Sequence, residues 1–155
     1  MGAPILYVDT DAVRAVVGVK VKEVPDTMFT DQQMERQLKT ALYGWLPTHE
    51  TLYDTGSASG ATADEEYLRD LVVSYCLFFC AVRVVEMVLA LRKIVGDGKS
   101  EVQRFDTDLK DLLKVFNDRR DEAQGLLEAL VNASNTDGAQ YFGKASPGYD
   151  PVTNT

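Results

Sequence analysis

The most apolar part of the chain is the run at 71–91, LVVSYCLFFCAVRVVEMVLAL, which only Ser74, Arg83 and Glu86 clearly interrupt. Its length would suit a membrane span. An arginine and a glutamate deep in hydrocarbon would each cost a few kcal/mol, however. The flanks carry helix-capping residues and a tight turn in place of aromatic belts. The pattern therefore predicts a helix that is buried inside a folded protein and does not cross a membrane.

Two long helices joined by a short turn are predicted in the second half of the chain. The first covers about 62–95 and begins with a capping box, in which Thr62 precedes Glu65 by three residues. The second covers about 100–131 and begins with a similar box, and the short turn makes the pair an antiparallel hairpin. The apolar positions of the second helix recur at steps of three and four like a heptad seam, with one break where Arg119 takes an expected apolar slot. These positions are Val102, Phe105, Leu109, Leu112, Phe116, Ala123, Leu126 and Leu130.

Two shorter helices are predicted before the hairpin. The first can be capped by Asp9 or Thr10 and can end at Gly18, because glycine readily adopts the left-handed conformation that ends helices. The second covers about 27–45, where apolar residues recur at three and four. Residues 47–61 are rich in Gly, Ser and Thr, which predicts an exposed loop.

These elements predict an all-α fold: a helical bundle with a long antiparallel hairpin, two shorter N-terminal helices and an extended C-terminal tail. The helical domain is expected at 1–132 and the tail at 133–155, where no helical period is visible. The first hairpin helix is apolar nearly all round, so one partner stripe cannot cover it. We therefore expect the two shorter helices to cover part of the remainder and a neighbouring copy of the chain to cover the rest. The residues expected at this subunit interface are Phe78, Phe79, Val82 and Val85.

The charge of the chain narrows the classes of function. Its 155 residues include 24 acidic and 16 basic side chains, which give a formal net charge of −8. This balance disfavours a sequence-independent nucleic-acid binder, which needs clustered Lys and Arg, and a protein that docks on anionic membranes. It does not exclude a protein that lines a passage for DNA without gripping it. With two cysteines and no basic leader, the sequence indicates synthesis in a reducing cytoplasm.

No motif in the chain identifies a reaction. The Asp-Thr-Gly at 54–56 matches aspartic proteases, but that chemistry needs a loop between strands and a second Asp. The GDGKS at 96–100 reads as a helix stop and cap, since a phosphate-binding loop follows a strand. Cys76 and Cys80 lie one helical turn apart, but His49 is the single histidine and four zinc ligands cannot be assembled. We therefore expect core thiols and no catalytic, cofactor or metal site.

The tail is the strongest functional hint in the residues themselves. Aromatic and proline side chains in a segment without a helical pattern can anchor in a partner's pockets, and proline lowers the cost of ordering. A tail without any partner is the alternative reading. The residues that carry this hint are Tyr141, Phe142, Pro147, Tyr149 and Pro151.

The order of these parts resembles the head-to-tail adaptor (head-completion, or connector) proteins of tailed bacteriophages. The resemblance spans nearly the full chain and rests on short motifs: VRAVVGV followed by VPD, the long helical hairpin, and the ending SPGYDPV. It implies an α-helical bundle that assembles as a ring, usually of twelve copies, beneath the portal. In the family the C-terminal segment commonly reaches into the portal. That role would fall here on Tyr141, Phe142, Pro147, Tyr149, Asp150 and Pro151.

The resemblance implies a structural virion protein of the phage neck, made in the host cytoplasm, with no enzymatic step and no cofactor. Its expected partners are further copies of itself, the portal, a stopper or tail-completion protein, and passing genomic DNA that it does not bind specifically. No membrane partner is expected. Three alternatives remain open: another neck or tail-completion component, a small cytoplasmic helical interaction module, and the Asp-Thr-Gly protease.

Overall fold

The computed structural model describes the backbone of residues 2–31, 33–95 and 100–143, and the side chains of 2–30, 33–89 and 109–133 among them. The described residues are mostly helical, as the sequence predicts. Their elements are β1 (Pro4–Ile5), β2 (Val8–Asp9), α1 (Thr10–Val17), α2 (Asp26–Asp31), α3 (Met34–Trp45), α4 (His49–Ser57), α5 (Ala63–Val95) and α6 (Ser100–Gly143). The strands form a small antiparallel hairpin at the N-terminus, in which Ile5 pairs with Val8.

Helix α5 is the centre of the fold and packs against α1, α3, α4 and α6. Its predicted capping box is confirmed, because the backbone N–H of Thr62 donates to Oε2 of Glu65 at 2.7 Å. In return, the backbone N–H of Glu65 donates to Oγ1 of Thr62 at 3.3 Å. The two reciprocal bonds satisfy donors that the first turn of a helix otherwise leaves unpaired.

The antiparallel hairpin of α5 and α6 is confirmed, and α6 is longer than expected. The rings of Phe78 and Phe116 lie 6.0 Å apart between centroids, so these two positions of the helices lie side by side. Helix α6 continues to Gly143. The predicted change from helix to tail at 132/133 therefore falls inside α6. The remainder of the predicted tail, 144–155, lies outside the described residues.

The buried face of α6 departs from the predicted heptad seam. Leu127 is fully buried, whereas Leu126 and Leu130, which the seam placed in the core, are 41% and 39% exposed. A straight α-helix has 3.6 residues per turn and drifts by about 20° per heptad against a strict seven-residue repeat. Leu127 follows Leu109 by about five turns of 3.6 residues, so it returns to the same face. The buried apolar residues on this face are Leu109, Phe116, Ala123 and Leu127.

The first helix is capped as predicted, and it carries a buried arginine. The Asp9 carboxylate accepts the backbone N–H of Ala12 at 2.7 Å, and Gly18 ends the helix at φ 76°. Arg14 is 3% exposed; its Nε donates to the carbonyl of Val24 at 2.7 Å, and its Nη2 donates to the Asp26 carboxylate. These bonds fix the turns between α1 and α2 to the helix, and they satisfy a charge that would otherwise be costly to bury.

The predicted second helix, 27–45, is two helices. Gln33 adopts a left-handed backbone with φ 51°, which a right-handed helix cannot continue through. The change of direction places both Phe29 of α2 and Met34 of α3 in the core, with 3% and 1% of their surfaces exposed. Burial of two large apolar side chains offsets the local cost of the left-handed residue.

The predicted loop 47–61 is wrong for most of its length, because α4 occupies His49–Ser57. The helix packs closely on α5 at Gly56, where a Cβ atom would lie 2.4 Å from the carbonyl oxygen of Glu65. Nη1 of Arg69 also donates to the carbonyl of Gly56 at 3.0 Å. The glycine that indicated a loop is thus the residue that allows two helices to meet, and tertiary packing overrides weak helix propensity.

Candidate functional site

The predicted portal-binding residues lie at the end of α6 and beyond it. Tyr141 and Phe142 belong to the last turn of α6, where the backbone is helical in place of the expected extended chain. Their side chains lie outside the described residues, so the partner-binding role of this segment stays a prediction. The other predicted residues also lie outside the described part of the chain: Pro147, Tyr149, Asp150 and Pro151.

The predicted subunit-interface residues lie mainly in the core of the single chain. Phe79, Val82 and Val85 are 8%, 5% and 0% exposed. Phe78 is only partly buried, and its ring contacts that of Phe116 on α6. Among these four residues, Phe78 therefore keeps the most surface for a second copy to cover. The subunit interface itself stays a prediction.

Helix α5 keeps apolar surface that its own chain does not cover. The rest of the chain buries 56% of the most apolar 18-residue stretch of Ala63–Leu89. By length and composition alone this stretch could cross a membrane, but the core helices of soluble proteins are often as long and as apolar. Several large side chains along it are only partly buried: Leu68, Leu77, Phe78, Met87, Val88 and Leu89. This remaining surface is the feature of the described chain that most clearly calls for a partner.

The Asp-Thr-Gly sequence at 54–56 does not lie between strands. It is part of α4, where the Asp54 side chain is exposed and Gly56 is packed against α5. An aspartic protease site needs two carboxylates close enough to share a proton. The strands of the described residues are the two-residue β1 and β2. This placement contradicts the geometry that the protease interpretation requires.

The two cysteines are buried thiols, as predicted. Cys76 and Cys80 are unpaired and neither has exposed surface. Burial raises the pKa of Cys80 to about 12 and also raises the pKa of Cys76, because the thiolate would lose its hydration. Both therefore stay protonated near neutral pH, and a thiol is a poor metal ligand. Within the described residues, no group of three or more His, Cys, Asp or Glu could hold a metal ion.

His49 is a buried histidine that the sequence did not identify. The sequence predicts an exposed loop at this position, but His49 lies at the start of α4 with no exposed surface. The hydroxyl of Tyr7 is 2.8 Å from Nδ1, and the ring of Tyr43 packs edge-on at 4.7 Å between centroids. Tyr7 also stacks on Tyr53 at 4.1 Å. The cluster joins the N-terminal hairpin, α3 and α4.

The electrostatics of this cluster favour a neutral imidazole. Burial raises the pKa of Tyr7, so its hydroxyl keeps its proton and can donate to Nδ1. We therefore assign the imidazole proton to Nε2, which is buried without a hydrogen-bond partner among the described residues. Burial lowers the pKa of His49, and the adjacent Glu50 opposes this in part. The arrangement suits a structural contact, since Nδ1 is occupied by the tyrosine.

A groove of about 710 Å³ lies between β1, α2 and α3. Its buried apolar lining residues are Ile5, Phe29 and Met34. The charged side chains around it are of both signs, and the pair Glu35–Lys39 is joined by a salt bridge of 2.7 Å. A groove of this kind could accept an apolar segment, and its mixed charge selects neither anions nor cations.

Comparison with protein-family models, curated proteins and solved structures gave no match to this chain.

Proposed function

We propose that this chain is a structural subunit of the neck of a tailed bacteriophage. In this role it forms a ring beneath the portal, joins the portal to the tail or stopper, and extends the channel through which the genome passes. A ring of twelve copies is the expectation that follows from the family resemblance. The chain acts through protein–protein contacts and performs no chemical step.

The observation that carries this proposal is the incomplete cover of α5. A central helix that is apolar nearly all round keeps part of its apolar surface exposed in the single chain. Phe78 is one of the partly buried residues on this surface, and its ring contacts that of Phe116 on α6. Burial of apolar surface drives most protein association. Packing of neighbouring copies around a ring would bury it without changing the fold of the subunit.

Two further features support the proposal. Short helices, a helical hairpin and a C-terminal segment follow one another in the order that the resemblance implies, although four short helices, α1 to α4, stand where two were expected. The net charge of −8 suits a channel through which DNA passes, because an acidic protein repels the negatively charged DNA and does not bind it tightly. Both features favour an adaptor over a nucleic-acid-binding module.

The test is binding to the portal protein encoded by the same genome. Because α6 continues to Gly143, the informative truncation ends there and keeps the described helices intact. We expect the full chain to bind portal rings and the chain 1–143 to lose most of this binding. Equal binding by both would indicate that the portal contact lies within residues 1–143. No binding by the full chain would contradict the proposal and favour a cytoplasmic helical module.

The control keeps the tail but changes the body. In Phe78→Asp a charge is placed on the partly covered surface of α5, whereas Tyr67→Ser changes a side chain that is 49% exposed near the start of the same helix. We expect the first variant to bind the portal without forming a complete ring. The second variant should resemble the unchanged chain. Circular dichroism must show that both remain folded.

A further inference from the structure

The outward flank of α6 carries a row of four exposed side chains. Val115 and Leu126 are 50% and 41% exposed, and the side chains of Arg119 and Glu122 are 61% and 58% exposed. At about 100° per residue, the four positions fall within an arc of about 60°. We name these four residues the flank row.

The flank row lies away from the packed face of its own helix. The core residues Phe116, Ala123 and Leu127 are centred about 90° round the helix from it. Helix α6 packs chiefly on α5, so the row does not take part in the main contact of the hairpin. Two large apolar side chains are therefore aligned along a face that their own chain leaves open.

The spacing of the flank row is the same in both directions along the helix. The steps from Val115 to Arg119, Glu122 and Leu126 are four, three and four residues. The outer positions are apolar, and the inner positions carry opposite charges. A second α6 laid antiparallel, with a two-fold axis between 120 and 121, sets each apolar residue against an apolar residue and each charge against its opposite.

We propose that the flank row is a contact between two copies of this chain, with α6 antiparallel to α6. Val115 then faces the partner's Leu126 and Arg119 faces the partner's Glu122, and the two-fold axis repeats both contacts. A parallel arrangement would set like charges against each other, which is destabilising. Complementary charge thus favours a second copy of the chain as the partner and an antiparallel orientation of its α6.

The salt bridge between Arg119 and Glu122 within one chain does not prevent Arg119 from pairing with the partner's Glu122. Arg119 donates to Glu122 at 3.1 Å in the single chain, but both groups are well exposed and such pairs are weak. In the dimer each arginine lies between its own glutamate and the partner's Glu122. The two apolar pairs at the ends of the row exclude water from around these charges, which strengthens them.

The contact is small and closed. From Val115 to Leu126 the row is about 16 Å long at 1.5 Å per residue. A contact of this length buries less surface area than a standard stable interface. We therefore expect a concentration-dependent dimer with a dissociation constant in the micromolar range or weaker. A two-fold contact stops at two chains. It is distinct from the cyclic contact of a ring, and it does not rest on the proposed function.

Charge reversal tests the pairing. In Arg119→Glu or Glu122→Arg alone, like charges face each other twice across the two-fold axis. We expect the dissociation constant, measured by sedimentation equilibrium on the full chain, to rise at least about tenfold in each. The double variant Arg119→Glu/Glu122→Arg restores opposite charges and should recover dimerisation to within about threefold. A monomer at all concentrations, or a dimer that single reversals leave unchanged, would overturn the proposal.

Cross-linking tests the direction. With Val115→Cys in one copy and Leu126→Cys in another, a thiol-reactive linker much shorter than 16 Å should join the mixed pair. Neither variant alone should be joined, because two copies of the same position lie about 16 Å apart along the helix. The native Cys76 and Cys80 are buried and do not compete. Efficient cross-linking of either variant alone, or none in the mixture, would overturn the antiparallel register.

Discussion

The hydroxyl oxygen of Tyr7 lies 2.8 Å from Nδ1 of His49, although 42 residues separate the two in sequence. The bond joins the turn of the N-terminal hairpin to the first residue of α4. Because Tyr7 also stacks on Tyr53, the hairpin is held to α4 by both polar and aromatic contacts. This cluster makes the stability of the N-terminal region sensitive to single changes.

The first prediction concerns the hydrogen bond itself. Tyr7→Phe keeps the ring that stacks on Tyr53 but leaves Nδ1 of His49 buried without a donor. We expect the free energy of unfolding in urea to fall by about 1–3 kcal/mol, the usual cost of a buried unsatisfied group. Tyr67→Phe removes a hydroxyl from a tyrosine that is 49% exposed, and it should be neutral. Equal stability of the two variants would show that the bond contributes nothing.

The second prediction concerns pH. Burial lowers the pKa of His49 in the folded protein, whereas the unfolded chain takes up the proton at about 6.5. Stability should therefore fall as the pH drops through about 6.5, and the fall should stop below the folded pKa. Each unit of pKa difference corresponds to about 1.4 kcal/mol. The measurement is the urea midpoint at a series of pH values.

The control for this pH dependence is His49→Gln, which should remove the fall in stability as the pH drops through about 6.5. The pKa values of Asp26 and Glu65 are also lowered in the folded protein, but these two groups affect stability in a different pH range. Hydrogen bonds from Thr10 and Arg14 stabilise the first carboxylate, and hydrogen bonds from Thr62 stabilise the second. Their contribution is lost only as the pH falls below about 4.5. An unchanged slope in His49→Gln would assign the dependence to other groups.

The third prediction compares two glycines in helices. Gly56→Ala places a methyl group 2.4 Å from the carbonyl oxygen of Glu65, so α4 must move away from α5. We expect a loss of at least about 2 kcal/mol, as for other overpacked sites. Gly125→Ala meets no atom within 4 Å and should stabilise α6 by about 0.5–1 kcal/mol. Thermal unfolding of both variants measures the contrast, and a stabilising Gly56→Ala would refute the close packing.

The fourth prediction tests the register of α6. Leu127→Ala removes a fully buried side chain and should cost about 2–5 kcal/mol. Leu126→Ala changes a neighbour that is 41% exposed, and it should cost less than about 1 kcal/mol. If the heptad seam were the true core, the order of the two costs would be reversed. Urea unfolding below the concentration at which dimers form separates folding from self-association.

Features with local causes could be predicted from the sequence. The capping box of Thr62 and Glu65, the stop at Gly18 and the buried thiols all depend on residue types within a few positions of one another. The hairpin of α5 and α6 followed from two long apolar patterns joined by a short turn. These signals act over one or two turns, so the sequence alone carries them.

Features with tertiary causes could not be predicted in this way. Helix α4 exists because Gly56 fits against α5, and the left-handed Gln33 exists because Phe29 and Met34 both reach the core. The choice of Leu127 over Leu126 depends on accumulated helical drift. His49 looked like a loop residue because its partner Tyr7 is distant in sequence. The one local indication of this cluster is the spacing of His49 and Tyr53, which lie four residues apart and therefore on the same face of a helix.

The adaptor function is best tested by the mass of the portal ring after incubation with the full chain. Native mass spectrometry counts the added copies without assuming which surface binds. We expect saturation at one copy of this chain per portal subunit, which would complete a ring that extends the channel. A portal ring that gains no mass in the presence of excess folded chain would contradict the adaptor function.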